Sequence, residues 1–266
     1  MDPSWLFTES LSGQAMLLVL GSTRIAMAFI VLPLLSADLV PAMSRNSLYV
    51  MFGMVALALQ PAVDLRSFDI GTWLLLFAKE MALGATLGFV FGSVLWAFEA
   101  AGQFIDGKAG TTASQVNDPM SGQQVSLTGL FFVKLAGFVF MFSGGLLLLV
   151  ATVMESYSLW PLLQLKPISV QVAMKLLENE FNRVLVVALL VSAPVIVTLF
   201  AIDLVLGLIN RFAPQLNLFS LAASAKVWAS SLVILLMLTS LVQQLLDDIF
   251  RRPAITLRAL EAMFPR

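Results

Sequence analysis

The 266-residue chain contains no cysteine and no histidine. The first absence excludes disulfides, thiolate metal sites and cysteine nucleophiles; the second removes every mechanism that needs an imidazole. Charge is scarce as well. Only 12% of residues are charged and the formal net charge is −1, so no polyanionic partner is implied and there is no nucleic-acid footprint. What the chain has is apolar bulk: 59% hydrophobic residues and a mean hydropathy of +0.95. A soluble core of this size does not need so much apolar surface, so the chain reads as an integral membrane protein. The N-terminal residues MDPSWLFTES are acidic and lack the basic region of a cleavable signal, so the first apolar block is expected to be an uncleaved anchor.

Six apolar blocks follow in order, and they predict an all-α fold of long kinked helices and helical hairpins. The first covers 14–36. The second, 47–60, reaches only ~20 Å against a ~30 Å hydrocarbon core and is too short to span. The third, 70–98, is too long for one straight span and is interrupted by Lys79 and Glu80. Glu80, Gly84, Gly88 and Gly92 follow at intervals of four, a stripe that predicts close helix packing. The fourth block, 127–154, carries Lys134 and the Gly144-Gly145 pair. Residues 169–181 read as an amphipathic helix capped by Ser169. Val172, Leu176 and Phe181 form its apolar side, and Lys175, Glu178, Glu180 and Arg183 its wet side. It runs on into the fifth block, 184–209. A sharp turn, NRFAPQLN, joins that block to the sixth, 218–246, as a helical hairpin, with Pro253 expected to end the last helix. Arg251 and Arg252 favour a cytoplasmic C-terminus, but the unequal blocks argue against a regular six-span bundle.

Arg24, Lys79, Glu80, Lys134, Asp203 and Lys226 lie inside apolar blocks. Each costs at least ~2.5–3.5 kcal/mol at a helix centre unless it pairs or meets water. A proton or ion path is the functional reading; pairing between helices or subunits is the structural one, and the excess of cations favours pairing. Enzyme readings lack groups. A rhomboid-type site needs histidine, and an intramembrane aspartyl site needs a second membrane aspartate beside Asp203. No cofactor is expected, and carboxylates alone at these spacings suggest no metal cage. A secondary transporter with charged midplane residues is the alternative from another class, and the absence of evident internal repeats weighs against it.

One stretch differs from the rest. Residues 99–126, EAAGQFIDGKAGTTASQVNDPMSGQQVS, are polar and rich in turn-forming pairs such as Asp106-Gly107, Asp118-Pro119 and Ser121-Gly122. Such a segment is either an ordinary loop outside the bilayer or an ordered loop that lines or blocks an aqueous path. Composition alone favours the first.

The sequence resembles the T/R component of the type III export apparatus, called SctT in injectisomes and FliR in flagella. The matching features are Glu80 with Gly84 and Gly88; Ala101-Gly102 with Ile105-Asp106 and Gly110; Asp118-Pro119; and Arg211-Phe212-Ala213-Pro214-Gln215 with Asn217, Phe219 and Lys226. FAPQLNLF looks closer to the injectisome branch. The resemblance implies a non-enzymatic subunit of an export gate in the bacterial inner membrane, much of it on the periplasmic side. One copy would pack with five R/P-type and four S/Q-type subunits into a helical portal for unfolded substrates, with U-type and V-type export proteins nearby. It also implies an R/P-like part, 1–154, and an S/Q-like part, 155–266. The loop at 106–122 would plug the pore through Asp106, Gly107, Gly110, Thr111, Thr112, Ser114, Gln115, Asn117, Asp118, Pro119 and Gly122. Arg211, Pro214, Gln215, Asn217 and Phe219 would shape the hairpin turn and subunit contacts.

Overall fold

A computed structural model describes residues 11–32, 34, 41–60, 68–110, 116–117, 124–165, 169–212 and 218–263. They form seven helices: α1 (Leu11–Val31), α2 (Ala42–Ala58), α3 (Ile70–Ala109), α4 (Leu127–Phe142), α5 (Gly145–Leu159), α6 (Val170–Phe212) and α7 (Leu218–Ala262). Two two-residue strands, β1 (Val116–Asn117) and β2 (Gln124–Val125), pair antiparallel between α3 and α4. The fold is all-α apart from this minimal hairpin. Four helical stretches, Gly13–Val31, Ile70–Ala109, Gln171–Phe212 and Ala222–Ala262, are long and apolar enough to cross a membrane. The pair α4 and α5, bent by 66°, makes a fifth if it counts as one span. The protein is therefore a multi-pass membrane protein. At ~1.5 Å per residue, α3, α6 and α7 are each ~60–68 Å long, about twice the hydrocarbon thickness.

Two compact units are present. The first contains Met1–Gly92, Gly144–Glu180 and Phe250–Arg266, and the second Ser93–Ser143 and Phe181–Ile249.

In the first unit, α1 is gripped from two sides by glycine. A Cβ on Gly53 of α2 would strike the Ser22 side chain and backbone of α1, and one on Gly21 would sit 3.0 Å from the Gly53 carbonyl oxygen. On the other side, a Cβ on Gly84 of α3 would collide with the Arg24 carbonyl, and one on Gly88 with that of Ala28. Glu80, Gly84, Gly88 and Gly92 are all buried, and the one-turn spacing of the two α1-facing glycines lets α3 lie along α1 for at least that turn. Phe29 stacks on Tyr49 with ring centroids 5.9 Å apart, closing the α1–α2 contact.

Several elements differ from the sequence expectation. Lys79 and Glu80 do not interrupt α3, because both are paired inside the protein. Nor does the polar stretch begin at residue 99: α3 runs on to Ala109. Ala101, Ile105 and Ala109, spaced by four, are buried there, and this face overrides the turn tendency of Asp106-Gly107. Gly110, at φ 76°, ends the helix and donates its N–H to the Asp106 carbonyl at 3.1 Å. The fourth block breaks where Gly144 adopts φ 84° and starts α5.

Two corrections concern the C-terminal half. Pro253 does not end α7, which continues to Ala262. Proline costs ~3 kcal/mol inside a helix, but Ile249, Arg252, Thr256 and Leu260 on one face are all buried, and each apolar side chain returns ~1.5–3 kcal/mol. In α6 the inner face carries Leu176 and Glu180, while Phe181 is 61% exposed. The ion pair of Glu180 turns that face inward, and Phe181 lies ~100° round the helix.

Replacing Gly88 by leucine drives a side chain into the Ala28 backbone and should sharply reduce recovery of assembled complex. Gly107→Ala, where a Cβ meets nothing within 4 Å, should leave recovery unchanged. Quantifying co-purified partner subunits for both variants checks this.

Candidate functional site

The charges of the third block form a closed network in the first unit. Arg24 of α1 makes a forked ion pair with Glu80 of α3: Nε donates to Oε2 at 2.7 Å and Nη2 to Oε1 at 3.0 Å. Nη1 donates to the Ser156 hydroxyl of α5 at 2.8 Å, and Nη2 also reaches the Trp160 carbonyl at 3.0 Å. The guanidinium lies 4.0 Å above the Tyr157 ring. The Tyr157 hydroxyl donates to the Gly21 carbonyl at 2.8 Å. Lys79 pairs with Glu80 Oε1 at 2.8 Å and donates to the carbonyls of Pro161, Leu162 and Gln164. Gln60 accepts from the Leu162 N–H at 2.8 Å.

This arrangement explains how two cations and one anion coexist out of water. The surplus positive charge faces carbonyls at and beyond the C-terminal end of α5, where partial negative charge gathers. Arg24 and Glu80 are 0% exposed. Both Glu80 oxygens accept bidentate, charge-assisted bonds, the strong class, so this carboxylate is committed to holding α1, α3 and the α5 end together.

A second cluster lies at the base of the polar stretch, in the second unit. Gly102 of α3 touches α4 backbone to backbone, since a Cβ there would strike Gly129 N and Cα. One turn later, Asp106 accepts from the Ser126 hydroxyl at 2.7 Å, from the Thr128 N–H at 2.9 Å and from the Thr128 hydroxyl. Ser126 in turn caps α4 by accepting from Gly129 N–H at 2.9 Å. The AG..ID…G spacing thus has a mechanical meaning. Gly102 permits contact, Asp106 caps the α4 N-terminus, and Gly110 releases the chain. The segment leaves α3 and returns to α4 between two joined feet. Between the feet in sequence, Val116 pairs with Val125 and Asn117 with Gln124.

Asp106 and Gly107 therefore stand in the last turns of α3, Gly110 just beyond it and Asn117 in β1. Thr111, Thr112, Ser114, Gln115, Asp118, Pro119 and Gly122 lie outside the described residues, as do Pro214, Gln215 and Asn217 of the hairpin turn. Arg211 is exposed in the last turn of α6, and Phe219 is in the first turn of α7.

Three further ion pairs join α6 to α7. Glu180 pairs with Arg252 at 2.7 Å, Arg183 with Asp248 at 2.6 Å, and Asp203 with Lys226. Arg183 also donates to Ser93 of α3 at 2.6 Å. Lys108 of α3 reaches the second oxygen of Asp203 at 2.9 Å. Sequence reasoning did not place Glu180, Arg183, Asp248 and Arg252 in ion pairs, yet a signal existed. The three α6–α7 pairs join opposite charges placed nearly symmetrically about the NRFAPQLN turn, as an antiparallel hairpin demands. Lys134, expected to be buried, is exposed on α4.

Glu80→Gln leaves Arg24 and Lys79 buried without their anion and should destabilise the protein by about 3–5 kcal/mol. A lowered thermal midpoint of the purified complex checks this.

The family model described as bacterial export proteins, family 1, matches residues 15–252. The chain is 31% identical over 217 residues to the Yop proteins translocation protein T of Yersinia pestis, covering 80% of this chain and 82% of that one. It is 30% identical over 235 residues to the surface presentation of antigens protein SpaR of Salmonella typhimurium, covering 87% and 85%. It is 28% identical over 244 residues to the flagellar biosynthetic protein FliR of Bacillus subtilis, covering 90% and 92%.

Proposed function

The chain belongs to the bacterial export proteins, family 1, and from that premise we propose that it forms part of the protein-conducting gate of a type III secretion system and plugs it with the loop at 106–122. Membership makes it a subunit of the type III export apparatus, a component of a multi-subunit assembly in the membrane. The finer reading is one copy packed with five R/P-type and four S/Q-type subunits in the bacterial inner membrane, beside U-type and V-type export proteins, passing unfolded substrates. Its 1–154 part is R/P-like and its 155–266 part S/Q-like. The system is an injectisome: relatives named for Yop translocation and antigen presentation reach 30–31% identity, against 28% for the flagellar protein.

The observation that carries the plug reading is the pair of joined feet. A gate element needs a mobile tip on a fixed base. Gly102 against Gly129, together with the Asp106 cap, fixes the base, while the sequence between the feet is dominated by small and polar residues, a composition suited to an element that opens at low free energy. Two features support a home in an assembly that extends beyond the bilayer. Helices α3, α6 and α7 are about twice as long as the hydrocarbon layer is thick. The apolar windows of α6 and α7 are only 28% and 17% buried by the chain itself, which leaves apolar surface for lipid and neighbouring subunits to cover. A transporter reading would use a buried acid that changes partners, and Glu80 is held on both oxygens.

Removing residues 111–115 leaves Gly110, Asp106 and the residues of β1 and β2 in the sequence. The complex should assemble normally and leak ions or small solutes several-fold more. Conductance of membranes holding the assembled gate measures this, and an unchanged leak from an assembled variant would reject the plug.

A further inference from the structure

We propose that Lys108 is a positioning residue for the loop: its ion pair with Asp203 holds the α3 foot against α6 in the closed gate and lets go when the gate opens. The inference rests on reading the loop as a plug. Lys108 is the penultimate residue of α3, two before the Gly110 that releases the chain. Its Nζ lies 2.9 Å from Asp203 Oδ2 and 5.5 Å above the Phe200 ring, both on α6. The other Asp203 oxygen is taken by Lys226 of α7.

Two lysines thus share one carboxylate, and the excess is informative. A lone carboxylate on an apolar helix is costly, and one lysine is enough to neutralise it. Lys226, with 16% of its side chain exposed, is the more covered partner and belongs to the same hairpin as Asp203. Lys108, at 36%, is the more exposed and comes from the loop's own helix. Lys108 can leave for water without stranding the carboxylate, because Lys226 remains. A half-exposed pair of this kind is weak, which suits a contact that must break and reform. The division of labour follows from the partners. Gly102 and Asp106 join the two feet to each other through α4, whereas Lys108 ties the foot to the hairpin.

The test uses the gate co-expressed with its partner subunits and measures ion leak and complex recovery together. Lys108→Gln should raise leak several-fold at unchanged recovery, while Lys108→Arg, which keeps the charge, should stay near the parent. The 111–115 deletion sets the ceiling. If the deletion leaks and Lys108→Gln does not, the latch is wrong and the plug stands. If neither leaks, the plug fails and the latch with it. Leak from both Lys108 variants, or reduced recovery of Lys108→Gln, would also overturn the proposal by making the pair a packing or folding contact. A second measurement uses the absence of native cysteine in this chain. Lys108→Cys combined with Asp203→Cys, bridged by a short cleavable bifunctional thiol reagent, should block export until the bridge is cut. Export that continues through the bridged gate would reject a latch that has to open.

Discussion

The buried pairing of Arg24 with Glu80 is the constraint on which the first unit depends. A guanidinium and a carboxylate that are both fully covered need each other's charge and each other's hydrogen bonds, and they obtain both through a fork with two parallel contacts. Lys79 adds a second cation beside the same carboxylate, and the carbonyls around the end of α5 take up the surplus. The charges therefore dictate the architecture. α1, α3 and the segment after α5 meet at one point, and that meeting satisfies three ionised groups away from water. The glycine contacts make the meeting possible: Gly84 and Gly88 let α3 approach the very turns of α1 that carry Arg24 and Ala28.

The second unit uses the same currency differently. Its charges are paired across a helical hairpin and at the base of a loop, and several are half-exposed. Asp106 caps a helix, Asp203 is shared by two lysines, and Arg183 links Asp248 to Ser93. Partly exposed pairs are weaker than buried ones and cost less to break. Much of the apolar surface of α6 and α7 is left uncovered by the chain, so the remaining packing has to come from lipid and from partner subunits.

The places where sequence reasoning went astray share one physical cause. Asp106-Gly107 has the local chemistry of a turn, yet it is helical because its neighbours Ala101, Ile105 and Ala109 bury one face and Asp106 spends its carboxylate on another helix. Pro253 removes one hydrogen bond, and the buried face from Ile249 to Leu260 outweighs it. Glu180 looked wet and Phe181 dry because polarity was judged one residue at a time, whereas the Arg252 guanidinium was waiting on α7. In each case a partner distant in sequence reversed a local preference, and local preference is what a short window can read.

The sequence by itself determined that the chain is an α-helical membrane protein without thiol or imidazole chemistry, that its charged residues inside apolar blocks must find partners, and to which export family it belongs. These follow from composition, from the ~30 Å thickness of hydrocarbon and from motifs that survive in linear order. Only the tertiary structure decided which charge meets which, why Gly102, Asp106 and Gly110 stand at their spacing, and that the two ends of the polar stretch are joined to each other. Those depend on distances between residues 20 to more than 130 positions apart, such as Asp106 with Ser126 and Arg24 with Trp160, and only packing brings such residues together.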